Sequence, residues 1–211
     1  MIKLKNVSKN IGKNVILDDV SLKFNTGCIY GLRGSNGSGK TMLMRVIAGL
    51  MKPTSGTVFI DDKVLYKDMD FPESIGILIE NPAFIGNMRG IENLALLASY
   101  ESKKPYDMAR EALEKVGLDP DDKRKYSKYS LGMKQKLGVA AAIMGSPDII
   151  LLDEPINAID EAGVQMVKDI LIELKKDRII IVACHDREEL DFLADKIYLV
   201  KEGRVYEQKT D

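Results

Sequence analysis

The run Gly34-Ser35-Asn36-Gly37-Ser38-Gly39-Lys40-Thr41 constrains this chain more than any other stretch. It fits G-x-x-x-x-G-K-[ST], a loop whose backbone N–H groups surround phosphates. Such a loop must bend sharply and bring bare backbone close to a polyanion. Glycine at 34, 37 and 39 suits both demands. Lys40 is predicted to reach the β- and γ-phosphates, and the Thr41 hydroxyl to bind Mg²⁺. Cys28–Leu32 reads as a short buried strand entering the loop. Residues 41–48, with Met42 in the first turn, read as a helix whose N-terminus faces the phosphates. A glycine-rich surface turn is the competing reading, and the strand–loop–helix context argues against it. Alone, the loop implies a nucleoside triphosphate and no more.

The 211 residues suffice for one domain with a substantial core. Charge is nearly balanced, with 31 basic against 32 acidic residues, which argues against a nucleic-acid binder acting through bulk electrostatics. The two cysteines, Cys28 and Cys184, sit in apolar strand-like runs and read as buried thiols. No run approaches the apolar length of a membrane span, and the first residues lack a signal-peptide stretch. A cytoplasmic location is therefore expected.

Alternating apolar residues over 1–24 and again over 57–60 predict an antiparallel sheet. Residues 74–79 read as a buried strand, and 149–152 and 179–184 as parallel strands with a helix over 163–175 between them. Helical spacing over 91–100, 108–116 and 131–144 marks an insert of about residues 86–144. Residues 197–200 and 204–206 suggest a closing hairpin around Glu202-Gly203. The expected fold class is α/β, a phosphate-loop NTPase core with a mostly parallel sheet, an N-terminal antiparallel β-subdomain and a helical insert, all one domain over 1–211.

Ile149-Ile150-Leu151-Leu152-Asp153-Glu154-Pro155 is a buried strand with two acids at its carboxyl end, where ligands of open α/β sheets gather. Asp153 is expected to hold Mg²⁺, and Glu154 to activate or orient the attacking water. Tyr129-Ser130-Leu131-Gly132-Met133 precedes that strand at the start of a helix. Ser130 reads as a helix cap, and its hydroxyl with nearby N–H groups can also hold a phosphate. His185, the only histidine, follows the strand 179–184.

With these motifs in this order, the chain resembles, over essentially its whole length, the ATP-binding subunit of an ATP-binding-cassette (ABC) transporter. Ser130 and Gly132 match two positions of that family's L-S-G-G-Q signature, while Leu131 and Met133 depart from it. The resemblance implies ATP and Mg²⁺ as cofactors. It implies that Ser130 and Gly132 face the γ-phosphate held by a second cassette, in a homodimer or heterodimer, and that His185 contacts the γ-phosphate and water. Asp160 matches the loop that crosses the dimer interface, and equally reads as a helix cap. A separate integral-membrane subunit is implied, contacted around 80–87 and the helical insert. The protein would then lie peripherally on the inner face of the membrane.

Two departures stand out. The family's adenine-stacking aromatic is replaced by Ile11 in Val7-Ser8-Lys9-Asn10-Ile11-Gly12, which offers an apolar contact without a ring. Glu80 stands where the family usually has glutamine, and a carboxylate binds Mg²⁺ or its waters more strongly than an amide. Glu80 together with Ser-Leu-Gly-Met-Lys-Gln is similar to the bacitracin-resistance and lantibiotic-immunity exporter branch. The expected function is thus ATP binding and hydrolysis that drives export through a membrane subunit by ATP-dependent dimerisation. A soluble non-transport ABC ATPase and a low-turnover regulatory ATP-binding module are the alternatives. The basic residues Lys123, Arg124, Lys125 and Lys128 read as a solvated face.

Overall fold

The computed structural model describes residues 1–80, 82–185 and 187–208. Asn81 and Asp186, which adjoin Glu80 and His185 in the motifs above, lie outside the described residues. Two sheets form the frame. The first is antiparallel, in the order β2 (Asn14–Phe24), β1 (Ile2–Ile11), β4 (Ser55–Ile60), β5 (Lys63–Val64). The second places β3 (Cys28–Arg33) between β9 (Lys196–Lys201) and β8 (Ile179–Cys184), followed outward by β7 (Ile149–Asp153) and β6 (Ile75–Leu78). These five strands run parallel, and β10 (Arg204–Glu207) closes one edge as an antiparallel hairpin with β9.

The central strands are apolar on both faces because both faces are covered. Successive residues of β7 and β8 alternate between two cores. Ile149, Leu151, Ile179, Ile181 and Ala183 pack toward β1, β2 and the helix α1 (Lys40–Ile47). Ile150, Leu152, Ile180, Val182 and Cys184 pack toward the helices on the other side. Those helices are α2 (Gly90–Ala98), α3 (Pro105–Lys115), α4 (Leu131–Ile143), α5 (Glu161–Leu174) and α6 (Arg187–Leu193). Burial of each large aliphatic side chain is worth roughly 1.5–3 kcal/mol. A one-residue slip of β7 would pull Asp153 into a core, where an unpaired carboxylate is costly, so the acid at the strand's end helps fix the register.

Helices α2 to α4 interrupt the chain between β6 and β7, where the sequence places its helical insert. The short strand β5 and helix α6 have no counterpart among the sequence expectations. Strand β5 has only two residues, too few for a periodic signal. Both cysteines are free thiols, and burial pushes the Cys184 thiol far up. Among the described residues, no helix is long and apolar enough to cross a membrane.

Candidate nucleotide site

The loop from β3 to α1 folds back on itself at the carboxyl ends of the parallel strands. Gly39, the residue before α1, has φ 113°, a conformation nearly closed to residues with a Cβ. At Gly34 the constraint is space. An added Cβ would lie 2.3 Å from the Val200 carbonyl oxygen and 2.5 Å from Ser38 Oγ.

A cavity of about 480 Å³ opens over this loop. Its lining includes residues 36–42, with Arg45, Glu80, Asp153 and Glu154. Buried Lys40 donates from Nζ to the carbonyls of Gly34 (2.6 Å) and Ser35 (3.2 Å). Thr41 Oγ1 donates to Asp153 Oδ2 at 2.7 Å. Burial pushes the Asp153 carboxyl above its ordinary range, and the Glu154 charge adds to this. The Thr41 hydrogen bond and Lys40 pull the other way. Among the described residues, Ser38 Oγ is buried without a hydrogen-bond partner, which costs on the order of 1–3 kcal/mol. A phosphate oxygen would remove that cost. The orphaned hydroxyl, the bare backbone at Gly34 and the buried ammonium fit a polyphosphate; the Thr41 and Asp153 oxygens fit a hard divalent cation.

Glu154 follows β7 in a left-handed conformation, φ 50°. Three bonds tie it to other elements. Its N–H donates to the Ala183 carbonyl at 2.8 Å. Its carbonyl accepts from Gln135 Nε2 at 2.7 Å. Its Oε1 lies 2.9 Å from His185 Nδ1. The hydrogen bond to Glu154, and then its charge, raise the His185 pKa above the ordinary value. Two neighbouring strand ends therefore deliver one carboxylate–imidazole pair beside the phosphate loop.

Other expected site residues fall elsewhere. Ile11 is half exposed on the β1–β2 hairpin, outside the lining of this cavity, and Ile16 of β2 supplies the aliphatic wall instead. Ser130 and Gly132 line a separate cavity with Leu131, Met133, Arg124, Lys136 and Asp160. Ser130 caps α4 by accepting from the Met133 N–H at 3.2 Å. Asp160 occupies the N-cap position of α5 without a side-chain cap bond, and lies 3.6 Å from Lys136 Nζ. Glu80 reaches the main cavity, but its Oε1 accepts from Arg45 Nη2 at 2.7 Å. Arg124 is tied to Asp122 in the second cavity's wall.

The sequence reading missed Ile16, Gln135 and Arg45. Arg45 had a signal, since it lies four residues after Thr41 on one helix face. Gln135 had none, since it stands between Lys134 and Lys136 in the polar first half of its helix. The choice of Ile16 over Ile11 depends on how the antiparallel sheet sits against the loop, and no local pattern encodes that.

The fold and this cavity define a phosphate-loop nucleoside triphosphatase. The family described as "ABC transporter" matches residues 17–157. An uncharacterized ABC transporter ATP-binding protein of Bacillus subtilis is 44% identical, covering 97% of this chain and 94% of that protein. A bacitracin transport ATP-binding protein of Enterococcus faecalis is 36% identical, covering 99% of this chain and 68% of that protein. A lantibiotic transport ATP-binding protein of Streptococcus pyogenes is 33% identical, covering 99% and 90%. Among solved structures, a dimeric ATP-binding cassette in a post-hydrolysis state with ADP and Pi superposes with a TM-score of 0.86 at 28% identity, covering 99% of this chain and 98% of that one. The chain belongs to the ABC transporter family. It is an ATP-binding and ATP-hydrolysing subunit whose activity drives transport.

Proposed function

We propose that this chain is the motor of an exporter whose membrane-spanning part is a separate protein, and that it works as a pair of cassettes closing on ATP. One observation carries the reading: the phosphate loop with Lys40, Thr41, Asp153 and Glu154 lines one cavity, while Ser130 and Gly132 line another. A single chain therefore offers two half-sites, and a head-to-tail partner, a copy of this chain or a related cassette, would complete each. The dimeric ADP- and Pi-bound neighbour supports this arrangement. The names of the bacitracin and lantibiotic relatives point to a peptide antibiotic as cargo. The whole chain acts as one ATPase domain, with residues 86–144 as its helical part.

Within each half-site the residues divide the work. Gly34, Ser35, Asn36, Gly37, Ser38 and Gly39, with the N–H groups of Thr41 and Met42, cradle the phosphates. Lys40 exchanges its loop carbonyls for phosphate oxygens. Thr41 and Asp153 are the residues that would hold Mg²⁺, with Glu80 at the rim, and the ion supplies charge neutralisation on the β- and γ-phosphates. Glu154 orients water and accepts its proton, and His185 fixes the carboxylate and faces the γ-phosphate. Ile16 lines the cavity and Ile11 does not, so Ile16 takes the part of chief base contact. The Glu154–His185 contact argues against a low-turnover module.

Ile85, Leu96, Leu97 and Tyr100 expose apolar surface on and near α2. We assign this face to the membrane subunit, which would hold the chain at the cytoplasmic surface of the membrane. The test is Glu154→Gln. It should abolish phosphate release, keep ATP binding and accumulate an ATP-dependent dimer on size-exclusion chromatography. Parent-level turnover would end the assigned role of Glu154.

A further inference from the structure

Thr41 and Arg45 project from one face of α1. Each takes one carboxylate. Thr41 holds Asp153 at the end of β7. Arg45 holds Glu80, just beyond β6, through an ion pair of 2.7 Å. All four line the cavity of the phosphate loop. Glu80 stands there at φ 61°, a conformation disfavoured for any residue with a Cβ. Backbone and side chain together thus aim an extra acid at the rim of the site.

The charge balance makes that acid a problem. Among the described residues, the cavity lining carries three carboxylates, Glu80, Asp153 and Glu154, against two cations, Lys40 and Arg45. Its substrate is a polyanion. An uncompensated carboxylate at Glu80 would repel the triphosphate through a partly screened medium. The Glu80 side chain is 60% exposed, so the pair adds little to fold stability. Its consequence lies in the field over the phosphates and in where the carboxylate points.

We propose that Arg45 is the positioning and charge-compensating residue for Glu80: its guanidinium holds the carboxylate at the rim and cancels the repulsion that this residue would exert on bound ATP. The proposal rests on the ATP-binding reading of the site. It predicts that the two residues act as a unit, so that removing Arg45 does harm only while Glu80 is charged.

The test is a double-mutant cycle on the dissociation constant of a fluorescent ATP analogue, measured first in EDTA and then with Mg²⁺. In EDTA, Arg45→Met should weaken binding about tenfold. Glu80→Gln in that background should restore it to within about twofold of the parent. Glu80→Gln alone should leave affinity equal or slightly tighter. Arg45→Gln, which keeps a polar group on the helix face, should reproduce the Arg45→Met pattern if that variant folds poorly. A loss that persists in Arg45→Met/Glu80→Gln would mean that Arg45 acts on the phosphates itself, and would overturn the proposal. So would parent-like affinity in both Arg45 variants. Failure of the parent to bind the analogue would instead remove the underlying ATP-site reading.

Discussion

Gln135 offers a sharp test of how the carboxylate proposed to activate water, that of Glu154, is held. Its amide Nε2 crosses 19 residues of sequence to donate to the Glu154 carbonyl at 2.7 Å. Glu154 is strained at φ 50°, and such a conformation costs on the order of 1–3 kcal/mol unless its surroundings enforce it. Replacing Gln135 with Leu removes the bond at similar size. The Asn157 N–H still reaches the same carbonyl at 3.2 Å, so the oxygen is not orphaned. The stability loss should then be that of one ordinary hydrogen bond, about 1 kcal/mol, or roughly 2–4 °C in Tm for a domain of this size. The larger effect is kinetic. Releasing a similar amount of strain lets Glu154 leave its reactive pose, and about 1.4 kcal/mol is tenfold in rate. We expect kcat to fall about five- to tenfold while KM for ATP stays within about twofold, because the carboxylate acts on water. Phosphate release across an ATP series measures both. Gln135→Glu should lose at least as much, since a carboxylate cannot donate to a carbonyl. A kcat within about twofold of the parent, with only Tm lowered, would show that Gln135 packs without positioning.

Other predictions follow from the same geometry. Gly34→Ala forces a Cβ to within 2.3 Å of the Val200 carbonyl. It should destabilise the fold by about 1–3 kcal/mol in thermal melts and abolish ATP binding. Asp153 has a raised pKa, mainly through burial. Its contribution to stability is therefore fullest below the ordinary carboxylate value, about pH 4, and is lost as pH rises through the raised folded value. Asp153→Asn should accordingly raise Tm at pH 7 while eliminating Mg²⁺-dependent turnover, and a lowered Tm would contradict the burial argument. His185 has a raised pKa because Glu154 holds its imidazolium. Its pairing stabilises the fold fully below about pH 6.5 and fades as pH climbs through the raised value. As the only histidine, it gives a single imidazole signal in an NMR titration. The midpoint should lie above the ordinary value and fall back in Glu154→Gln.

Much of this fold is legible along the chain because its elements carry their own periods. The double-sided apolar runs of β7 and β8 announce a sheet covered on both faces, and the change to helical spacing after Gly90 marks the insert. Boundaries moved by a residue or two, except at α3, which begins at Pro105, three residues before the expected start. The strand Ile179–Cys184 is legible to its ends, because an unbroken apolar run stops abruptly at a polar histidine. Element α6 carries no clear period because its seven residues make fewer than two full helical turns. Among the described residues, strand β5 pairs with β4 alone, and it is visible only once that partner is placed.

The chemistry divides in the same way. The sequence by itself marked the residues proposed to handle a triphosphate, because glycines at tight backbone positions before Lys-Thr, and paired acids at the end of an apolar strand, are patterns written locally. Tertiary structure alone decided their relations. It brought Thr41 against Asp153 across 112 residues and Glu154 against His185 across 31. It gave the aliphatic wall to Ile16, tied Gln135 to Glu154, and set Arg45 against Glu80. Those contacts depend on strand order and on how α1 lies over the sheet. Strand order is a property of the whole packed chain, and no local run of side chains encodes it.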